Sequence, residues 1–246
     1  MKERFGGIER LYGVTGFELL QQAHVAIVGI GGVGCWAAEM LARSGVGEIT
    51  LIDADEVCVT NINRQVHALN STVGQSKVDA MKSRILDINP ECVVHAEPKF
   101  FMASNAEELL SPEYDFLIDA VDSVKHKVLL LALCHQHKIP VVTTGGAGGK
   151  TNANQLQIMD LAQTHGDRLL KKVRYELRRH HGFKDVKKFE IAAIFSDEPM
   201  TLPFCETGEQ QSYRLDCDSG YGTTPTVICG FGALAADWVI QSLVNQ

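Results

Sequence analysis

The residues HVAIVG (24–29) form an apolar run closed by glycine, as in a buried parallel strand, and follow a short amphipathic stretch over 15–22. In GVGCWAAEMLARSGVG the apolar positions Val33, Ala37, Met40 and Leu41 recur at helical spacing, with Gly45 as a stop. EITLID reads as a second strand. The alternation continues with a helix over 76–88, strand CVVHAE, a helix over 104–110, strand YDFLIDAVD, a helix over 124–138 and strand IPVVTTG. Strands alternating with helices predict an α/β fold, a Rossmann-like, doubly wound, mostly parallel sheet.

After GGAGG (145–149) the alternation breaks. A helix is expected within 168–189, a late strand at FEIAAIF (189–195), and a final helix opening near Pro225, giving a C-terminal extension of mixed strands and one helix. No linker-like shift in composition interrupts the chain. It reads as one domain over 1–246, with a basic crossover segment at about 150–189. The longest apolar tract, Val227 to Ile240, contains Asp237 and is short for a bilayer, so a packed helix and no membrane are expected.

Composition changes this picture in two places. Seven cysteines without any C-x-x-C pair argue against a knuckle-built structural zinc and for free thiols. The start, MKERFGGIERLYG, lacks the apolar core of a signal peptide, so a cytoplasmic protein is expected. Charge is uneven. Residues 168–189 hold nine Lys and Arg against two acidic residues in a chain of net charge −7, which leaves −14 elsewhere. A solvated helix explains an isolated strip of this kind, whereas a polyanionic partner explains one beside a nucleotide site.

Such a site is suggested by GIGGVG (29–34). Gly29, Gly31 and Gly34 satisfy G-x-G-x-x-G, joined by Gly32, after a strand and before a helix; Asp53 ends the next strand. Glycines admit a phosphate close to the backbone, the helix N-terminus presents unpaired N–H groups, and Asp53 suits ribose hydroxyls. The pattern alone does not choose between a nicotinamide cofactor and ATP. Asn61, Arg64 and Gln65 follow shortly, and GQSK adds Lys77. Two cations favour a triphosphate. IDAVDS brings Asp119 and Asp122 to a strand's C-terminal end, where carboxylate is a natural Mg²⁺ ligand, and the set composes an ATP·Mg²⁺ site.

The ordered motifs GIGGVG, D-x-D, N-x-x-R-Q, G-Q-x-K and D-x-x-D-S resemble those of ubiquitin-activating-type adenylating enzymes, which include the bacterial activators of molybdopterin and thiamine sulfur carriers. The resemblance implies that Asp53 binds ribose, Arg64 and Lys77 the phosphates, Asn61 the reacting phosphate region and Asp122 the magnesium, with Asp55, Gln65 and Ser123 completing the nucleotide set. It also implies a homodimer in which an N-terminal arginine crosses to the partner. Arg4 and Arg10 are nearby, though Gly7 stands where that arginine aligns. The C-x-x-C pairs of the carrier activators are missing, and the basic strip lies in the corresponding region.

RFGGIERLYG, GGAGGK and LDCDSGYG resemble the branch of this family that dehydrates threonylcarbamoyladenosine at position 37 of tRNA, a branch also associated with cysteine-desulfurase sulfur-relay proteins. On that resemblance Lys171, Lys172, Arg174, Arg178, Arg179, Lys187 and Lys188 would meet tRNA, with Tyr175 against a base and His180 and His181 against the backbone. Cys217 stands where the family places an acyl-accepting thiol; an inert thiol is the plainer reading. Three readings stay open beside this one: an activator of a ubiquitin-like sulfur carrier, a nucleotide-gated adaptor and an NAD-dependent oxidoreductase.

Overall fold

A computed structural model describes residues 2–110, 113–183, 187–201 and 221–245. Helix α1 (Lys2–Gln22) leads into β1 (His24–Val28), α2 (Gly32–Arg43), β2 (Glu48–Ile52), α3 (Lys77–Ile88), β3 (Val93–Glu97), the short α4 (Ala106–Leu109), β4 (Phe116–Asp119), α5 (Val124–His137) and β5 (Val141–Thr144). Then come β6 (Leu156–Asp160), α6 (Arg168–His180), β7 (Ala192–Ser196) and α7 (Pro225–Val244). The seven strands form one sheet in the order β3-β2-β1-β4-β5-β7-β6. Every pairing is parallel except β6 with β7.

The doubly wound fold follows from strands that are apolar on both faces. Val25 and Ile27 of β1 enter a core built with α1, α2, α3 and α7, while Ala26 and Val28 enter a second core built with α4, α5 and α6. Between α2 and α3 the buried Glu39 accepts a bidentate pair from Arg84 at 2.6 and 3.0 Å, and Arg43 adds a third contact at 2.8 Å. Such a buried carboxylate persists because both its oxygens are engaged by cations.

Helix α7 is long and apolar enough to cross a membrane. Here Val227, Phe231, Ala235, Val239 and Leu243 are buried, and the helix packs on α1 and α2, as the sequence predicts. Its approach to α2 is close. A Cβ on Gly232 would lie 2.6 Å from the Val33 carbonyl oxygen and 2.7 Å from the Trp36 Cβ.

Three boundaries differ from the expected ones. Helix α1 begins at Lys2, well before 15, and bends at Gly13, whose φ of 75° breaks the helical path. Phe5, Ile8 and Tyr12 give its first half an apolar stripe on the core despite the two glycines between them. Strand β6, not expected from the sequence, is a half-buried edge strand whose burial does not alternate. Strand β7 starts three residues later than FEIAAIF suggests, because Glu190 takes a φ of 59°. The Asp160 carboxylate fixes that bend by accepting from the Phe189 and Glu190 N–H groups at 2.8 Å each.

Candidate functional site

The strand order reverses between β1 and β4, which opens a crevice at their carboxyl ends. The loop leaving β1 enters it. Gly29 has a φ of 90°, and a Cβ there would stand 2.8 Å from the Ala120 carbonyl oxygen. A Cβ on Gly34 would be 1.9 Å from the Gly29 oxygen, so only glycine lets the first turn of α2 close on the loop. Gly31 is the N-cap of α2 without a side-chain cap, and nothing lies within 4 Å of where its Cβ would be. This leaves N–H groups of the first helical turn for an anion. Gly32 has a different role from the expected ligand contact alone: its missing side chain makes room for Ile228 of α7, which a Cβ would meet at 2.8 Å.

Asp53 immediately follows β2, with both carboxylate oxygens already accepting from backbone, the Ile30 N–H at 2.7 Å and the Asp55 N–H at 2.8 Å. It thereby pins the glycine loop to β2, and each oxygen keeps a second lone pair. Burial holds its acid form above the ordinary carboxylate range, with the two N–H groups and Lys77 pulling the other way. Lys77, the first residue of α3, is buried, and its Nζ pairs with Asp55 Oδ2 at 2.7 Å. Asp53, Asp55 and Lys77 thus gather at the end of β2.

Arg64 reaches the same crevice from the segment after β2. Its Cγ and Cδ lie 3.7 and 3.8 Å from the Cβ position of Gly32, and its carbonyl accepts from Trp36 Nε1 of α2 at 3.0 Å. The guanidinium is held by the Thr60 carbonyl at 2.8 Å and Asn63 Oδ1 at 2.9 Å. Asn61 is buried, and its Oδ1 closes a turn by accepting from Cys58 N–H at 3.1 Å, leaving its amide hydrogens as the polar end for a ligand. Gln65 Oε1, Ser76 Oγ and both ring nitrogens of His67 are buried without a hydrogen-bond partner among the described residues. Burial and the nearby Lys77 and Arg84 charges push His67 down to about 4.

The two carboxylates of IDAVDS separate in role. Asp119, expected as a candidate magnesium ligand, is fully buried in an ion pair with Lys127 at 2.8 Å and accepts from Thr143 Oγ1 at 2.6 Å. It is unavailable to a metal, because removing it would strand a buried ammonium. Asp122 is exposed and without a hydrogen bond or ion pair among the described residues. Ser123 caps α5 by position, and its hydroxyl makes no cap bond.

Most of the basic strip lies on α6. Leu170, Val173 and Leu177 bury one face, while Lys171, Lys172, Arg178 and Arg179, together with Lys187 and Lys188 beyond the helix, are exposed. Arg174 departs from the expected row: it is half-buried and donates to Thr164 Oγ1, and its desolvation lowers its pKa. Arg179 donates to the Tyr175 hydroxyl at 2.6 Å, and Arg178 lies over the Phe189 ring at 5.2 Å. The helix is anchored at the crevice edge by its N-cap, since Asp167 accepts from Leu170 N–H at 2.8 Å and from Gly146 N–H, after β5, at 2.9 Å. Arg4 donates to the Ile88 carbonyl at the end of α3 at 3.2 Å. Cys217 lies outside the described residues.

One contact had no sequence signal. Asn63 Nδ2 donates to Thr223 Oγ1 at 3.0 Å across 160 positions, joining the Arg64 segment to the approach to α7.

The ThiF family profile matches residues 7–246. The chain is 45% identical over 247 residues to the Haemophilus influenzae tRNA threonylcarbamoyladenosine dehydratase, covering 100% of this chain and 95% of that one. It is also similar to the crystal structure of the Escherichia coli tRNA N6-threonylcarbamoyladenosine dehydratase in complex with ATP, with a TM-score of 0.90 and 42% identity over 99% of this chain and 95% of the other. The Escherichia coli molybdopterin-synthase adenylyltransferase is 37% identical over 137 residues, only 55% of this chain and 54% of that protein.

Proposed function

The chain belongs to the ThiF family, and from that premise we propose that it is an ATP-dependent dehydratase that closes threonylcarbamoyladenosine of tRNA into its cyclic form, one adenylating unit spanning the chain. The observation that carries the reading is the single crevice in which an uncapped helix N-terminus, Arg64, Lys77 and Asp53 converge. That set suits a nucleoside polyphosphate.

The chemistry follows from the charges. A carboxylate is a poor electrophile, so a threonyl carboxylate oxygen attacks the α-phosphorus of ATP, and the bond to pyrophosphate breaks. Arg64, Lys77 and the N–H groups opening α2 stabilise charge as it moves onto the phosphate oxygens. Asp53 holds the ribose, and its own bonds to the Ile30 and Asp55 N–H groups keep the loop in place. The carbamoyl group, tethered beside the activated carboxyl, then attacks the acyl carbon and AMP leaves with the former carboxylate oxygen. Tethering replaces an external nucleophile with a high effective concentration, so no thiol is required.

Mg²⁺ fits this site: Asp122 is an exposed carboxylate without a partner among the described residues, close in sequence to the Ala120 carbonyl that abuts Gly29. When bound there it would neutralise phosphate charge. The exposed cations of α6 we assign to the tRNA backbone; a cytoplasmic setting, dimerisation and sulfur-relay contacts are proposed from the family resemblance alone.

The test is mass spectrometry of nucleosides after modified tRNA is incubated with the protein and ATP. The expected product is lighter by one water, with AMP released in equal amount. Stimulation of ATP–pyrophosphate exchange by a carrier protein but not by modified tRNA would overturn the reading in favour of a carrier activator.

A further inference from the structure

The starts of β1 and β2 and the middle of β3 bring His24, Glu48 and His95 together on one face of the sheet. Glu48 Oε1 lies 2.7 Å from His95 Nε2 and 3.5 Å from His24 Nδ1, and the candidate ligand atoms all fall within 4.8 Å of one another. They line a cavity of about 390 Å³ with Thr50, Glu97, Glu108, Glu113 and Tyr114. His24 and Glu48 open their five-residue strands, about 13 Å of strand from the ends that border the nucleotide crevice, whereas Glu97 of the cavity lining closes β3, where its carbonyl accepts from the Asp53 N–H.

Each ring has one nitrogen at hydrogen-bond length from an oxygen, His95 Nε2 from Glu48 and His24 Nε2 from Thr50, which leaves His24 Nδ1, 3.5 Å from Glu48, without such a partner. His24 is oriented from its other nitrogen, with Nε2 2.8 Å from the Oγ1 of the buried Thr50. The tautomer that donates Nε2–H to Thr50 leaves the Nδ1 lone pair turned toward Glu48 Oε1. A ring held by an oxygen acceptor on one nitrogen, with the other nitrogen offered to shared space, is how metal-ligating histidines are positioned. The edge of His24 also packs on Tyr114, with ring centroids 4.9 Å apart. Two imidazoles and a carboxylate suit a borderline divalent ion; ligand atoms around tetrahedral zinc stand about 3.3 Å apart, so shifts of about 1 Å close the set.

We propose that His24, Glu48 and His95 form a binding site for a divalent ion of the zinc class, which clamps the three strands at the open β3 edge of the sheet. Glu97 and Glu108 of the lining are already paired with Lys99 at 3.1 and 2.8 Å, so the attraction for a cation comes from Glu48 and the two imidazoles, with solvent as the fourth ligand. Bound metal would stabilise the folded chain by mass action.

Calorimetric titration of the full chain with Co²⁺, followed by its visible spectrum, tests this. One ion per chain should bind without a sulfur-to-cobalt band, and Zn²⁺ should raise the thermal midpoint. His95→Gln, at a half-exposed side chain, and Glu48→Gln should each weaken binding by at least about tenfold while ATP affinity stays unchanged. Equal metal affinity in wild type and both variants, or a thiolate band showing that cysteines hold the ion, overturns the proposal.

Discussion

Lys77 Nζ sits 2.7 Å from Asp55 Oδ2, a pair in which the lysine is buried and the aspartate half-exposed. The carboxylate holds the ammonium at the end of β2, beside Asp53, before any phosphate arrives. Lys77→Met should therefore lower kcat/KM for ATP by about 100-fold, as expected for losing one preorganised charge. Stability should change little, because Asp55 remains in contact with water. Initial rates against ATP concentration, together with a urea melt, check both halves.

Asp119 and Asp122 are three residues apart and should fail in opposite ways. Asp119→Ala strands the fully buried Lys127 and should destabilise the chain by about 3–5 kcal/mol. Asp122→Ala should leave the urea midpoint within about 0.5 kcal/mol of wild type while abolishing AMP formation. Denaturation curves and AMP assays on the two purified variants separate the cases.

Replacing Lys171, Lys172, Arg178 and Arg179 with alanine should weaken tRNA binding and flatten its dependence on salt, with ATP affinity intact. Arg174→Ala should act differently, lowering stability more than tRNA affinity, because its guanidinium is engaged with Thr164. Filter binding across a salt series reads the slope directly; equal slopes for wild type and the fourfold variant would refute the RNA role.

His67 sets a pH dependence. Burial lowers its pKa from 6.5 to about 4, so the unfolded chain takes up a proton below pH 6.5 that the folded chain resists down to about pH 4. Stability contributed by the neutral ring is whole above pH 6.5 and declines through that window, by up to about 3 kcal/mol. Urea midpoints measured from pH 7 to 4 should show the decline, and His67→Leu should remove most of it.

Local patterns carried most of the fold. HVAIVG, EITLID and the helix over 76–88 are legible because burial on both strand faces and helical spacing are encoded within a few residues. β6 was not, since LQIMD mixes polar and apolar residues on both faces and is half-exposed throughout, and its place comes from pairing with β7. The glycine loop, Asp53, Arg64 and Lys77 were readable as a candidate set; the fold puts Asp53 and Lys77 at the end of β2 and the Arg64 stem beside Gly32. The roles of Asp119 and Arg174 were hidden: each depends on a partner, Lys127 or Thr164, that only the folded chain brings near. The His24, Glu48 and His95 grouping was equally silent, since three adjacent strands supply one residue each.

The close seat of Ile228 against Gly32, and of Gly232 against Val33 and Trp36, has a consequence for how the molecule can be divided. The nucleotide motifs all fall within the first 146 residues, yet the floor beneath their leading helix is furnished by the last twenty or so. A gene trimmed after the motifs would encode every candidate phosphate-binding residue but lose the helix that Gly32 and α2 pack against. An inserted module or a split reporter cannot use that seam as a natural cut.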